Sequence, residues 1–230
     1  MYKHLFFDLD RTLWDFEKNS HEVLQELYHY YNLQHHGITS VEDFIIRYKI
    51  NNEKLWDLYR NNLIEKDSLR DERFRLTLNE YGVSDHDLAA KLGLDYILLC
   101  PKKTHLFPYV HFTLDYLKNK YKLHIITNGF DEVQHQKIEH NNLSHYFDQI
   151  ITSEQVGYKK PNKEIFEFSL QKASAKASES LMIGDDLLAD IYGAKNVGMH
   201  QVYFNPNFLP FKEDQCTYVI NCISQLKQIL

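Results

Sequence analysis

The stretch HLFFDLDRTLWDF, residues 4–16, places two aspartates directly after a short apolar run. Residues 3–7 predict a buried β-strand, because a brief apolar run of β-prone side chains is typical of a strand inside a sheet. Asp8 and Asp10 then stand one residue apart at the end of that strand. Two like charges repel each other at the edge of a core unless a cation lies between them. The end of this strand is therefore a candidate binding site.

The rest of the chain changes its pattern once. Residues 16–99 contain no proline and carry apolar residues at helical spacing, as in Val23, Leu24 and Leu27, which predicts four or five helices. After Pro101, short apolar runs alternate with amphipathic segments. Such alternation predicts a parallel sheet with helices on both faces. The runs that predict strands are 123–127, 149–152, 181–184, 199–204 and 218–220, and those that predict helices are 131–141, 163–173 and 187–196.

These patterns predict an α/β fold in which a Rossmann-like parallel sheet forms the core and an α-helical domain is inserted after the first strand. The predicted core comprises residues 1–15 and 100–230, and the predicted insertion comprises residues 16–99. In sheets of this type, ligands bind in the crevice beyond the carboxyl ends of the strands. The residues that follow each strand are therefore the candidates for a functional site.

The amino-acid composition and net charge indicate which classes of binding partner the protein has. Of the 230 residues, 43% are hydrophobic and 25% are charged, which is typical of a folded globular protein. The net charge of −6 and the absence of a basic block argue against a nucleic-acid partner and favour a small molecule or a protein. No apolar stretch approaches the roughly 20 residues of a membrane span, and the three cysteines form no CxxC pair. We therefore expect a cytoplasmic protein without a membrane partner, as a monomer or a weak homo-oligomer.

Polar residues follow four of the predicted strands, and the carboxyl ends of neighbouring parallel strands share one edge of a sheet. Each segment has an ordinary alternative, since aspartates cap helices and Asn-Gly forms turns. Asp8, Asp10 and Thr12 follow the first strand, Thr127, Asn128 and Gly129 follow the second, Lys159 and Lys160 follow the third, and Gly184, Asp185, Asp186 and Asp190 follow the fourth.

Taken together, these residues indicate a cation site that handles phosphate. Hard oxygen ligands in a crevice suit Mg²⁺, which keeps some of its waters and accepts substrate phosphate. A divalent cation and a lysine neutralise the phosphoryl oxygens, which otherwise repel a nucleophile. A carboxylate can then attack and form an aspartyl-phosphate, while a second carboxyl group protonates the leaving oxygen and later accepts a proton from water. The predicted substrate is a small phosphate ester.

Four segments carry a family resemblance, and they are FFDLDRT, HIITNG, GYKKP and GDDLLAD. In them the chain resembles the haloacid dehalogenase-like (HAD) hydrolase superfamily, whose motifs are DxDxT, an apolar strand that ends in Thr or Ser, a lysine commonly in GxxKP, and GDxxxxD. The four motifs occur in the order of that family. The resemblance covers the whole chain, because residues 16–99 fall where one subclass carries an α-helical cap.

The resemblance implies a role for each residue at the strand ends. Asp8 would be the nucleophile and a metal ligand, and Asp10 would be the general acid/base, with its backbone carbonyl on the metal. Lys160 would pair with the phosphoryl group and with Asp8, and Asp185 would be the acidic metal ligand. Thr12, Thr127, Asn128 and Gly129 would hold the phosphate, and Asp186 and Asp190 would support the metal through water or bind it themselves.

Asp10 also indicates which reaction the family resemblance implies, whereas its neighbour Arg11 does not. Dehalogenases of the superfamily expel halide, which needs no proton, and they generally lack the second aspartate. Asp10 therefore favours hydrolysis of a phosphate ester, although a phosphomutase keeps both aspartates as well. Arg11 lies between two residues that face the site, so its side chain is expected to point away.

The runs IITNGF and VGYKKPNKEIFEF, with residues 54–74, look most similar to the capped 5′-nucleotidases of pyrimidine and noncanonical nucleoside monophosphates. This resemblance implies a nucleoside 5′-monophosphatase. Trp14 and Phe16 would line the leaving-group pocket and stack on a base, or else pack the hinge between core and cap. The alternatives are a phosphatase for sugar phosphates, phosphoglycolate or pyrophosphate, a phosphomutase, and a non-catalytic phosphate-binding module.

Overall fold

The computed structural model describes residues 1–212 and 215–230. The chain forms two compact units. One is built from Met1–Phe16 and Thr104–Leu230 and is called the core unit here, and the other, the helical unit, is Glu17–Lys103. Among the described residues, no helix is both long enough and apolar enough to cross a membrane.

The core unit contains a six-stranded sheet in which every neighbouring pair of strands is parallel. Its strands are β1 His4–Phe7, β2 Lys122–Thr127, β3 Phe147–Thr152, β4 Ser180–Gly184, β5 His200–Phe204 and β6 Tyr218–Ile220. The strand order is β3-β2-β1-β4-β5-β6. After β1, the chain adds β2 and β3 on one side of it and then β4, β5 and β6 on the other. A ligand crevice forms where the strand order reverses in this way. The predicted α/β fold with a parallel sheet is therefore confirmed.

The α-helices of the described ranges divide between the two units. They are α1 Phe16–Tyr30, α2 Val41–Arg60, α3 Lys66–Asn79, α4 His86–Leu99, α5 Val110–Leu117, α6 Asp131–His140, α7 Ser153–Val156, α8 Lys163–Lys172, α9 Gly193–Asn196 and α10 Leu226–Ile229. The structure departs from the regular helix predicted over 187–196, because Leu187–Tyr192 is π-helical. The N–H of Ile191 bonds to the carbonyl of Asp186, five residues back, at 3.2 Å, and this widens the turn.

The helical unit has an aromatic core. The ring centroid of Tyr48 in α2 lies 4.7 Å from that of Phe74 in α3 and 5.4 Å from that of Tyr96 in α4. The Arg73 guanidinium lies over the Tyr96 ring at 4.7 Å, and the Tyr96 hydroxyl donates to Ser20 Oγ in α1 at 2.8 Å. Aromatic pairs and a cation over a ring contribute stability beyond the area they bury. One cluster therefore joins all four helices of this unit.

Phe6 of β1 lies in an apolar cluster at the centre of the sheet. Phe6 packs in one cluster with Ile126 of β2, Met182 of β4 and Phe166 of α8, and all four side chains are fully buried. A strand whose surroundings are apolar in this way offers no partner for a charge. The charged residues of the predicted site accordingly follow the carboxyl ends of the strands, and the polar side chain that packs against Phe6 within the sheet is that of His124, with ring centroids 4.7 Å apart.

Two histidines are neighbours in the sheet, because His4 is the first residue of β1 and His124 is the third residue of β2. His4 Nδ1 lies 3.0 Å from His124 Nε2, and the two rings are stacked with centroids 5.3 Å apart. The other ring nitrogen of His124, Nδ1, is buried and has no hydrogen-bond partner among the described residues.

Candidate active site

Three carboxylates converge at the carboxyl ends of β1 and β4. Asp8 follows β1 directly, Asp185 follows β4, and Asp190 lies in the π-helical turns. One oxygen of each carboxylate lies within 4.8 Å of the other two. Asp8 and Asp190 are buried and Asp185 is half-buried. We call these three residues the carboxylate cluster.

A single buried lysine binds two members of the carboxylate cluster. Lys160 Nζ donates to Asp8 Oδ1 at 2.7 Å, to Asp190 Oδ1 at 2.6 Å and to the carbonyl of Ile126 at 2.9 Å. An ammonium has three N–H donors, so every donor of Lys160 is used. Lys160 therefore holds Asp8 in one orientation and ties it to Asp190.

One ammonium does not balance the three carboxylates of the cluster, of which two are buried and one is half-buried. Burial raises the pKa of Asp8, Asp185 and Asp190, neighbouring carboxylates raise it further, and Lys160 lowers it only in part for Asp8 and Asp190. Burial alone would lower the pKa of Lys160, but the charges of Asp190 and Asp8 outweigh burial and raise it. The excess of negative charge favours a further cation at this place.

The residues around Asp190 explain the GDD sequence. A Cβ added at Gly184 would lie 2.2 Å from Asp190 Oδ2, so the position has room only for glycine. Asp190 Oδ2 accepts the N–H of Asp186 at 3.1 Å. The carboxylate of Asp186 instead accepts the N–H groups of Leu188 and Ala189 at 2.8 and 2.9 Å and caps the π-helical turns. Of the two supporting acids predicted from the sequence, only Asp190 joins the carboxylate cluster.

The TNG segment after β2 positions the lysine. Asn128 Oδ1 accepts the backbone N–H of Lys160 at 2.7 Å, and Asn128 Nδ2 donates to the Lys160 carbonyl at 3.0 Å. Thr127 Oγ1 accepts the N–H of Gly129 at 3.1 Å, which orders the turn. The side chain of Asn128 is therefore committed to the backbone of Lys160. Phosphate binding by Thr127, Asn128 and Gly129 stays a prediction.

Thr12 lies against the carboxylate cluster. Its hydroxyl is fully buried and donates to Asp185 Oδ1 at 3.3 Å. A hydrogen bond from Thr12 also opposes the rise that burial causes in the pKa of Asp8. The structure thus places Thr12 beside two candidate metal ligands, and its contact with phosphate stays a prediction.

Asp10 is bound by two side chains of α6. Lys137 Nζ donates to Asp10 Oδ1 at 2.6 Å, and Gln134 Nε2 donates to Asp10 Oδ2 at 2.7 Å. A Cβ added at Gly129 would lie 1.5 Å from Gln134 Nε2, so Gly129 leaves the space that Gln134 occupies. Neither Gln134 nor Lys137 was among the predicted site residues. Gln134 and Lys137 are three residues apart on the helix that follows TNG, so they share a helix face. That spacing was the signal in the sequence that could have placed both side chains beside the site.

The two aromatic residues after the first motif differ in burial. Trp14 is fully buried, with Lys137 Nζ over its ring at 4.3 Å and with Phe16 edge-on at 6.1 Å. Trp14 has no exposed surface, and its two alternative roles, base stacking or packing, stay predictions. Phe16 is half-buried, and its place in a substrate pocket stays a prediction.

Arg11 lies nearer to the site than its sequence position suggested. Its backbone is left-handed, with φ 64°, and its guanidinium lies 4.7 Å from the centre of the Phe16 ring. Burial raises the pKa of Asp185, and the charge of Arg11 opposes that rise. The charge of the guanidinium thus acts on Asp185, whereas the sequence predicted a side chain that points away from the site.

Comparison with known families agrees with this arrangement of motifs. The family model described as haloacid dehalogenase-like hydrolase matches residues 5–204, which include all the residues of the site. The chain therefore belongs to the haloacid dehalogenase-like hydrolase family, and it is an enzyme of that family.

Individual relatives match over nearly the whole chain. The pyrimidine 5′-nucleotidase YjjG of Escherichia coli K12 is 31% identical over 98% of this chain and 96% of its own. A glyceraldehyde 3-phosphate phosphatase of Methanothermobacter thermautotrophicus is 31% identical over 100% of both chains. The crystal structure of the putative HAD-hydrolase YfnB of Bacillus subtilis, bound to magnesium, aligns with a TM-score of 0.88 at 28% identity and covers 99% of this chain and 98% of that one.

Proposed function

We propose that this protein is a Mg²⁺-dependent phosphomonoester hydrolase that acts through an aspartyl-phosphate at Asp8. The observation that carries the proposal is the separate binding of two aspartates, Asp8 by Lys160 and Asp10 by side chains of α6. A nucleophile and an acid–base group need different surroundings if they are to keep different roles. Membership of the hydrolase family supports the proposal, as do two relatives that are named as a nucleotidase and a phosphatase.

The carboxylate cluster fits Mg²⁺. It presents oxygen donors of the kind that Mg²⁺ prefers, and burial and mutual repulsion raise the pKa of its three acids. We propose Asp8, Asp185 and the backbone carbonyl of Asp10 as the protein ligands, with Asp190 in support. When bound, Mg²⁺ would withdraw negative charge from the phosphoryl oxygens. The family relative YfnB, with a similar fold, is described as bound to magnesium.

Asp8, Asp10 and Lys160 would have different roles in the reaction. Asp8 would attack phosphorus, forming a bond between its carboxylate oxygen and phosphorus while the bond to the leaving oxygen breaks. Asp10 would give that oxygen a proton and would then accept one from the water that hydrolyses the aspartyl-phosphate. Lys160, held by Asn128, would keep Asp8 oriented and would stabilise the charge of the phosphoryl group.

A nucleoside 5′-monophosphate is the substrate that we propose. The relative YjjG is named as a pyrimidine 5′-nucleotidase, and the half-buried ring of Phe16 offers an aromatic face near the site. A triose or sugar phosphate is the second candidate, because an equally similar relative is named as a glyceraldehyde 3-phosphate phosphatase. Phosphoglycolate, pyrophosphate and a phosphomutase reaction are the further alternatives. A cytoplasmic location and a monomeric or weakly associating state stay predictions.

A substrate panel tests the proposal. The purified protein with Mg²⁺ would be assayed for phosphate release from UMP, dTMP, glyceraldehyde 3-phosphate, phosphoglycolate and pyrophosphate. We expect the highest kcat/KM for a pyrimidine nucleotide, loss of turnover with EDTA, and loss of turnover in Asp8→Asn. Lys163→Met, in which an exposed lysine of α8 is replaced, is the control and should behave as the wild type. Full turnover by Asp8→Asn would exclude the aspartyl-phosphate, and inactivity of the wild type on every substrate would favour a phosphate-binding module.

A further inference from the structure

Lys137 is a buried lysine that the proposed reaction does not itself use. Its side chain is only 5% exposed, and its ammonium lies between Asp10 Oδ1, at 2.6 Å, and the face of the Trp14 ring, at 4.3 Å. A buried ammonium is unfavourable unless it is paired and hydrogen-bonded. The fold therefore retains a buried cation whose carboxylate partner is the proposed acid–base residue.

Gln134 binds the other oxygen of the same carboxyl group. It is 1% exposed, and its Nε2 lies 2.7 Å from Asp10 Oδ2. The space for Gln134 depends on the absence of a Cβ at Gly129, in the segment that also binds the backbone of Lys160 through Asn128. Both oxygens of Asp10 are thus bound from one helix face, which fixes the torsion angles of its side chain.

We propose that Lys137 and Gln134 are positioning residues that hold the Asp10 carboxyl group where it exchanges a proton with the leaving oxygen and with the attacking water. This inference rests on the proposed phosphohydrolase function. Proton transfer requires hydrogen-bond geometry, and a displacement of about 1 Å can cost about 100-fold in rate. The alternative is an ion pair that only joins the loop after β1 to α6.

The leaving group distinguishes positioning from a merely structural role. An alkyl phosphate such as UMP needs a proton on its leaving oxygen, whereas p-nitrophenyl phosphate releases a stable anion without one. In Lys137→Met we expect kcat for the best alkyl phosphate to fall about 10- to 100-fold, with KM within about threefold of the wild type. The first equivalent of nitrophenolate, measured in rapid mixing, should appear at the wild-type rate, and Lys137→Arg should restore part of kcat. An equal loss of rate on both substrates would overturn the proposal.

A double-mutant cycle tests whether Lys137 acts through Asp10. In the Asp10→Asn background, Lys137→Met should slow turnover no further, because residues that act through one another are not additive. If Lys137→Met lowers kcat by the same factor in the Asp10→Asn background as in the wild type, the proposal is contradicted. Lys163→Met, an exposed lysine on α8, is the matched control and should keep wild-type kinetics.

Gln134→Leu provides a second variant that keeps the buried ion pair. It removes one hydrogen bond to Asp10, and we expect a smaller fall in kcat with the same dependence on the leaving group. Circular dichroism and the thermal midpoint confirm that each variant is folded before its kinetics are compared. A wild type that hydrolyses no phosphate ester would refute the proposed function, and this inference with it. An active wild type whose kcat is unaffected in both variants would refute this inference alone.

Discussion

His124 should make the stability of the sheet depend on pH. Burial, together with the charges of His4 and Lys122, lowers the pKa of His124 from 6.5 to about 3. In the unfolded chain the ring takes up a proton as the pH falls through about 6.5, whereas in the native protein it stays neutral until about pH 3. The stability that neutral His124 contributes is therefore complete above about pH 6.5 and is lost progressively as the pH falls through that window.

The loss of unfolding free energy depends on how far the pH falls below the pKa of His124 in the unfolded chain. Each pH unit well below about 6.5 removes up to about 1.4 kcal/mol, and integration over the titration gives about 1.4 kcal/mol for a fall from about pH 7.5 to about pH 5.5. We propose His124→Gln as the comparison, because an amide retains hydrogen-bonding capacity towards His4 and does not titrate. The difference in unfolding free energy between the two proteins isolates the titration of the His4–His124 pair, since the remaining groups titrate in both.

Urea unfolding at several pH values measures this difference. The chain has two tryptophans, and in a Trp56→Phe background the remaining one, Trp14, is buried in the core unit that contains the sheet. We expect the wild-type background to lose about 1.4 kcal/mol more than His124→Gln between about pH 7.5 and about pH 5.5. His86→Gln, at an exposed histidine, is the control and should follow the wild type. Parallel pH dependences for the wild type and His124→Gln would refute the reasoning.

Three further predictions concern the site. Lys160→Met leaves two buried carboxylates, those of Asp8 and Asp190, without the ammonium that pairs with them, so urea unfolding in EDTA should show a loss of about 3–5 kcal/mol, and Lys159→Met should show little change. Gly129→Ala should displace Gln134 and lower kcat about tenfold at nearly constant KM in steady-state assays; an unchanged kcat would contradict the geometry. Asn128→Ala frees the backbone of Lys160 and should lower kcat/KM by about 10-fold or more, whereas wild-type kinetics would exclude a positioning role for Asn128.

The sheet could be predicted because its strands are buried on both faces. Such strands form short, continuous apolar runs, and the runs near 123–127 and 181–184 correspond to β2 and β4 within a residue or so. The same rule located the carboxylate cluster, since polar residues that end parallel strands meet at one edge. Strand order and local composition place Asp8, Asp185 and Lys160 among the candidates, together with Lys159 and Asp186, and the family resemblance distinguishes them from these neighbours.

The contacts of Asp10 could not be predicted in the same way. Gln134 and Lys137 lie 124 and 127 residues from Asp10 in the chain, and a lysine on an amphipathic helix has the pattern of a surface lysine. Only the folded structure shows that it is buried against a carboxylate and an indole ring. The π-helical turns also escaped prediction, because the apolar spacing in 187–196 resembles that of an ordinary helix.

The central place of β1 in the sheet has a consequence for how the chain is made. During synthesis β1 emerges before both of its neighbours, since β2 begins only at Lys122 and β4 only at Ser180. Its apolar residues stay without strand partners while the ribosome makes Glu17–Lys103, a compact unit with its own aromatic core. A nascent chain with an unpaired apolar strand is prone to aggregate. If the insertion folds early, its own apolar residues are buried and cannot form non-native contacts with that strand. The long delay between β1 and β2 therefore makes this stretch a natural place for a chaperone to bind.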